Sequence, residues 1–99
     1  SLVDEYLSNP NLSLKWIAEN HLYMNVDYLS KQFVKQTGVK FSSYLASKRM
    51  EKAKELLETT HMKVVTICNA VGYSNVSYFI QSFREYFGSS PEKFRQKED

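Results

Sequence analysis

Two short sets of side chains carry the chemistry this sequence offers. Asp27, Ser30, Lys31 and Val34, with Lys35 beside them, fall on one face of a helical stretch. Ser77, Ile80, Gln81 and Arg84 fall on the matching face of a second stretch. Each set combines short polar groups, a longer donor and a cation. Such groups bond base edges and neutralise phosphates. Gln and Lys can bond base edges in a major groove, and Ile80 suits a thymine methyl. Contact with a partner protein explains an exposed Ile80 nearly as well.

Catalytic chemistry finds little support. Cys68 is the one cysteine, so it has no partner for an internal disulfide, and it reads as a small buried hydrophobe. His21 and His61 are 40 residues apart, with no Cys or carboxylate at metal-ligand spacing, and read as surface or capping residues. No glycine-rich phosphate loop or carboxylate pair is present. The expectation is a protein that is not an enzyme, with no cofactor and no metal.

The elements that must position these side chains are short helices. The 99 residues are 42% hydrophobic and 24% charged, an ordinary globular mix for one domain. Seven Tyr, six Phe and one Trp argue against disorder. No apolar run reaches the roughly 20 residues a membrane-spanning helix needs. Leu2, Val3, Tyr6 and Leu7 mark a first helix, broken at Asn9-Pro10-Asn11. Ser13 caps a second, with Leu14, Ile17 and Ala18 on one face and Trp16 packing against the N-terminal helix. Asn25 caps a third, with Val26, Leu29 and Phe33 inward, and Gly38 ends it. A long helix rich in Ala, Lys, Glu, Met and Leu follows over about 41–58. Its apolar residues Phe41, Leu45, Met50, Ala53, Leu56 and Leu57 need partners on both sides. A fifth helix covers about 64–71; Asn75 caps a sixth that ends at Gly88; Ser90-Pro91 opens a short last one. The fold class is therefore all-α, with about seven helices.

Residues 13–44 align with 63–94 at a constant offset of 50 without a gap. The identities are Ile17/Ile67, Tyr23/Tyr73, Asn25/Asn75, Val26/Val76, Tyr28/Tyr78, Phe33/Phe83 and Gly38/Gly88. They fall on caps, turns and core positions, where a duplicated helix-turn-helix would keep them. Tyr28 and Tyr78 are expected to pack beside the core. A central helix of 18 residues spans about 27 Å. With its flanking turns it would hold two reading helices about one DNA turn, or 34 Å, apart. Asn25 and Asn75 would set helix N-termini toward phosphates. Lys35, Lys48, Arg84 and Lys93 are candidates to neutralise phosphates. The net charge of +2 is too small to argue for nucleic acid unaided.

The run Ala70-Val71-Gly72-Tyr73-Ser74-Asn75 continues through Tyr78-Phe79, Phe83-Arg84, Tyr86-Phe87-Gly88, Ser90-Pro91 and Phe94-Arg95. It resembles the signature of AraC/XylS-type transcription regulators. Tyr44-Leu45, Arg49-Met50, Ala53-Lys54 and Leu56-Leu57 resemble that family's linker helix. The resemblance spans about 12–95. The first half, Ile17-Ala18-Glu19 through Tyr28-Leu29-Ser30-Lys31, is similar to output domains of YesN-type two-component response regulators.

The resemblance implies a homeodomain-like tandem: a first helix-turn-helix at about 13–38, a linker helix at about 41–58 and a second at about 63–88. Base-reading positions carry over to Asp27, Ser30 and Lys31, and to Ser77, Ile80 and Gln81. Backbone contacts carry over to Asn25, Lys35, Asn75 and Arg84. Lys31 and Gln81 stand where relatives often have Arg, and the first turn is one residue longer than in many relatives. The implied function is sequence-specific binding of double-stranded DNA in transcription regulation, with two recognition helices in successive major grooves. A helical protein-interaction module using Ile80 and Val34 is the alternative. The chain reads as part of a longer cytoplasmic regulator, with an upstream receiver or sensor domain and RNA polymerase as further partners, and no membrane contact.

Overall fold

The computed structural model describes residues 2–98, and the regular elements among them are helical. They run α1 Leu2–Glu5, α2 Leu14–Ile17, α3 Val26–Thr37, α4 Phe41–Thr59, α5 Val64–Ala70, α6 Val76–Phe87 and α7 Pro91–Glu98. Local side-chain chemistry sets several of these boundaries. The Ser13 hydroxyl accepts from the Trp16 N–H at 3.1 Å and starts α2. Asn25 Oδ1 accepts from the N–H groups of Asp27 and Tyr28 at 2.9 and 3.1 Å. Asn75 Oδ1 accepts from the Tyr78 N–H at 2.9 Å. Helices α3 and α6 are both 12 residues long, and both stop at a glycine in the left-handed region, Gly38 at φ 82° and Gly88 at φ 84°. The duplication is thus reproduced at both ends of the two helices.

Two cores share α4. Phe41 and Leu45 on its first half join Val3, Leu12 and Ile17. Met50, Ala53 and Leu57 on its second half join Ile67, Cys68, Val71, Phe79 and Phe83. Leu56, expected to face inward, is only half-buried against the second core. One helix serving two cores stretches the molecule to 46 × 23 × 22 Å.

The cores are not equally closed. Phe79 and Phe83 on α6 are fully buried, with Phe94 of α7 edge-on to Phe83 at 5.7 Å. No residue of α3 is buried, and Leu29 and Phe33 are half-covered. Phe33 packs edge-on against Phe41 and Tyr44 of α4, both at 5.2 Å. At the N-terminal end Tyr6 meets Trp16 at 5.0 Å, as the sequence predicts. His21, expected on the surface, is half-buried between those two rings at 4.8 and 5.0 Å.

The two turns differ although the copies align without a gap. In the second unit Gly72 takes φ 97°. The Gly72 N–H bonds the Asn69 carbonyl, and the Tyr73 N–H bonds the Cys68 carbonyl, a Schellman closure. In the first unit Leu22 stands in the place of Gly72. The chain winds one π turn over Ala18–Leu22, and Tyr23 takes the left-handed conformation at φ 53°. The Tyr23 N–H bonds the Ala18 carbonyl, as Tyr73 bonds that of Cys68, and the Met24 N–H reaches the same Ala18 carbonyl. Holding a non-glycine residue there costs about 1–2 kcal/mol.

Candidate nucleic-acid interface

The two candidate faces point outward. With Leu29 and Phe33 toward the first core, Asp27, Ser30, Lys31 and Lys35 are all exposed along α3. Among the described residues no hydrogen bond or ion pair engages the Lys31, Lys35 or Arg84 side chains. Ser30 and Val34 border an apolar groove against Leu12, Leu14 and Leu45, beside the start of α4. Ser30 therefore lies at the edge of the face, while Asp27, Lys31 and Lys35 lie along its outer side.

On α6 the structure brings Ser77, Ile80, Gln81 and Arg84 together in one shallow depression. Ile80 corrects the sequence reading: it is half-buried and packed against the second core, so only its rim reaches the surface. Glu85, which sequence reasoning missed, completes the depression. Its carboxylate accepts from Gln81 Nε2 at 3.4 Å, one helical turn away. That long, exposed bond engages the Gln81 amide nitrogen and not its carbonyl oxygen. A base edge can displace it at small cost.

The two cap asparagines spend their Oδ1 atoms on their own helices. What remains for an outside ligand is the side-chain amide nitrogen, a donor, on an exposed residue at the positive end of a helix dipole. Tyr28 and Tyr78 overturn the packing expectation. They are 54% and 61% exposed, placed within the first turn of α3 and α6. Each offers a hydroxyl and a ring face beside the cap. Their repetition argues for packing in the sequence, yet residue 28 lies off the i, i+3, i+7 positions of Val26, Leu29 and Phe33.

Between the two units runs a cleft, with Pro10, Ser42 and Leu45 on one side and Ser74, Asn75 and Tyr78 on the other. Arg49 of α4 lies across it, only 9% exposed. Its Nη2 donates to the Asn9 carbonyl at 2.8 Å, and its guanidinium stands 5.7 Å over the Tyr73 ring. Burial pulls the Arg49 pKa down from its ordinary value, and Tyr73 opposes the shift. Burial likewise pushes the Tyr73 hydroxyl and the Cys68 thiol up.

A family model described as a helix-turn-helix domain matches residues 5–97. The chain is 42% identical over 99 residues to the uncharacterized transcriptional regulatory protein YesN of Bacillus subtilis (strain 168), covering 98% of this chain and 27% of that protein. It thus spans about a quarter of that relative's length. The C-terminal domain of the two-component response regulator yesN from Fusobacterium nucleatum superposes with a TM-score of 0.88 at 38% identity, over 95% of this chain and 90% of that one. The DNA-binding domain of the global transcriptional factor AdpA, solved in complex with a target DNA, superposes with a TM-score of 0.87 at 25% identity, over 97% and 85%.

Proposed function

The chain belongs to the AraC-type family of helix-turn-helix transcription regulators, and from that membership we propose that it reads double-stranded DNA with α3 and α6 in successive major grooves. One observation carries this reading. Two helices of equal length, with the same asparagine cap and glycine stop, present polar faces from two cores strung along one 19-residue helix. That helix spans about 28 Å, which suits faces set one turn of DNA apart.

Roles follow from chemistry. Lys31 and Gln81 read base edges, with Ser30 and Ser77 beside them, and the Ile80 rim meets a thymine methyl. Asp27 accepts from a cytosine amine. Asn25, Asn75, Lys35 and Arg84 hold the backbone and set register. No catalytic step is assigned to the chain. In the whole regulator an upstream receiver or sensor domain controls this unit, RNA polymerase is a second partner, and the work is done in the cytoplasm.

Selection from random duplexes followed by sequencing tests the reading. The expected pool carries two enriched blocks with centres about 10–10.5 base pairs apart. A pool with no enrichment, or a single short block, would overturn it.

A further inference from the structure

Arg49 is a buried guanidinium with no carboxylate partner among the described residues. Its Nε is buried and makes no hydrogen bond. Removing such a charge from water costs several kcal/mol unless close partners repay it. A chain needing only to fill this space could use Met or Leu. What Arg49 touches shows what the charge secures. It sits on α4 between Leu45 of the first core and Met50 of the second. Its Nη2 holds the Asn9 carbonyl, in the arm that closes the first core. Its flat face lies over Tyr73, in the turn that opens α6. A methyl placed on Gly72 would lie 2.8 Å from Nε and Nη2, and 2.4 Å from the Leu7 carbonyl oxygen. The second turn is therefore pressed directly onto the backbone of the N-terminal arm, with Arg49 in the seam.

We propose that Arg49 is a positioning residue: it locks the pose of the second helix-turn-helix relative to the first, and so determines which spacing between the two half-sites the chain accepts. A guanidinium does this better than an aliphatic residue because its plane and its donors fix two directions at once. The cores are otherwise separate, joined through α4, and tolerate relative rotation more readily than a single core would. The consequence for spacing rests on the two-groove reading above; the locked pose does not.

The test has an arm without DNA. Spin labels at Gln36→Cys and Glu92→Cys, in a Cys68→Ala background, report the distance between the units by pulsed electron resonance. The native residue at 49 should give one narrow distribution. Arg49→Met should at least double its width, and Arg49→Lys, which keeps the charge and a donor group without the flat plane, should fall between. Tyr73→Leu, which removes the ring but not the packing, should broaden it as well and serves if Arg49→Met does not fold. In the DNA arm Arg49→Met should keep its affinity for each isolated half-site within about twofold. It should lose at least tenfold on the joined site and accept spacings one base pair longer or shorter. An unchanged distribution in the folded variants, or an unchanged spacing preference, would overturn the proposal. If the unaltered chain shows no spacing preference, the two-groove reading fails instead, and the distance arm alone decides the role of Arg49.

Discussion

Gly72 lies so close to Arg49 that any β-carbon there would sit 2.8 Å from two of the guanidinium nitrogens. The same carbon would stand 2.4 Å from the Leu7 carbonyl oxygen, which is backbone and has no rotamer to escape to. Gly38 and Gly88 share a positive φ, yet a β-carbon at either meets open space. Gly72→Ala should therefore cost about 3–4 kcal/mol, combining left-handed strain with overpacking. Gly38→Ala should cost about 1–2 kcal/mol from strain alone. Urea denaturation of the two variants checks this, and equal losses would contradict it.

Arg95 of α7 donates to three backbone carbonyls, those of Leu57, Thr60 and Met62, at the end of α4 and in the loop that follows. Those carbonyls have left the helical ladder and need donors. Arg95→Met keeps the packed stem and removes all three bonds. The expected loss is about 2–3 kcal/mol, read as a lower denaturant midpoint with an unchanged slope.

The cap asparagines make a paired prediction. Asn25→Ala and Asn75→Ala should each cost about 1 kcal/mol of folding stability. Asn25 satisfies two N–H groups and Asn75 one, so Asn25→Ala should be the larger loss. Thermal melts of the two variants decide the order.

Stability should fall at the alkaline end. Burial raises both the Cys68 and Tyr73 pKa above their ordinary 9.0 and 10.0. The unfolded chain therefore loses these protons at lower pH than the folded one. The stabilising difference is complete below pH 9 and disappears as pH rises through the folded-state values. On account of these two groups, resistance to denaturant should hold to about pH 8 and fall above it. Cys68→Ala should delay that fall toward pH 10, and the native thiol should resist alkylation at neutral pH.

On DNA, variants separate reading from holding. Gln81→Ala or Lys31→Ala should relax preference at particular base pairs by about 1–3 kcal/mol. Lys35→Ala or Arg84→Ala should weaken all sequences alike and lower the salt slope by about one unit. Competition titrations at several salt concentrations distinguish the two outcomes.

Much of this was legible in the sequence because it is local chemistry. An asparagine before an apolar 3.6-residue rhythm and a glycine after it mark α3 and α6 almost to the residue. The linker helix was readable for the same reason, its apolar positions needing partners on two sides. What the sequence hid depends on contacts made across it. Tyr28 and Tyr78 are aromatic and repeated, which argued for packing, yet both stay more than half exposed. Ile80 is half-shielded by its neighbours in the second core, a coverage its position on the wheel did not disclose. Leu22 in place of Gly72 displaced the left-handed residue to Tyr23. Arg49 was one charge among several in α4 until folding brought it to Asn9, 40 positions away, and to Tyr73.

The central claim is that α3 and α6 engage one duplex in successive grooves on the same side. Inserting five base pairs between the two blocks of a selected site turns one block about half a turn away from the other. Fluorescence anisotropy with the original and the lengthened duplex tests this directly. Affinity should fall at least a hundredfold, with the lengthened duplex binding no better than a single block. Equal affinity for both duplexes would contradict it.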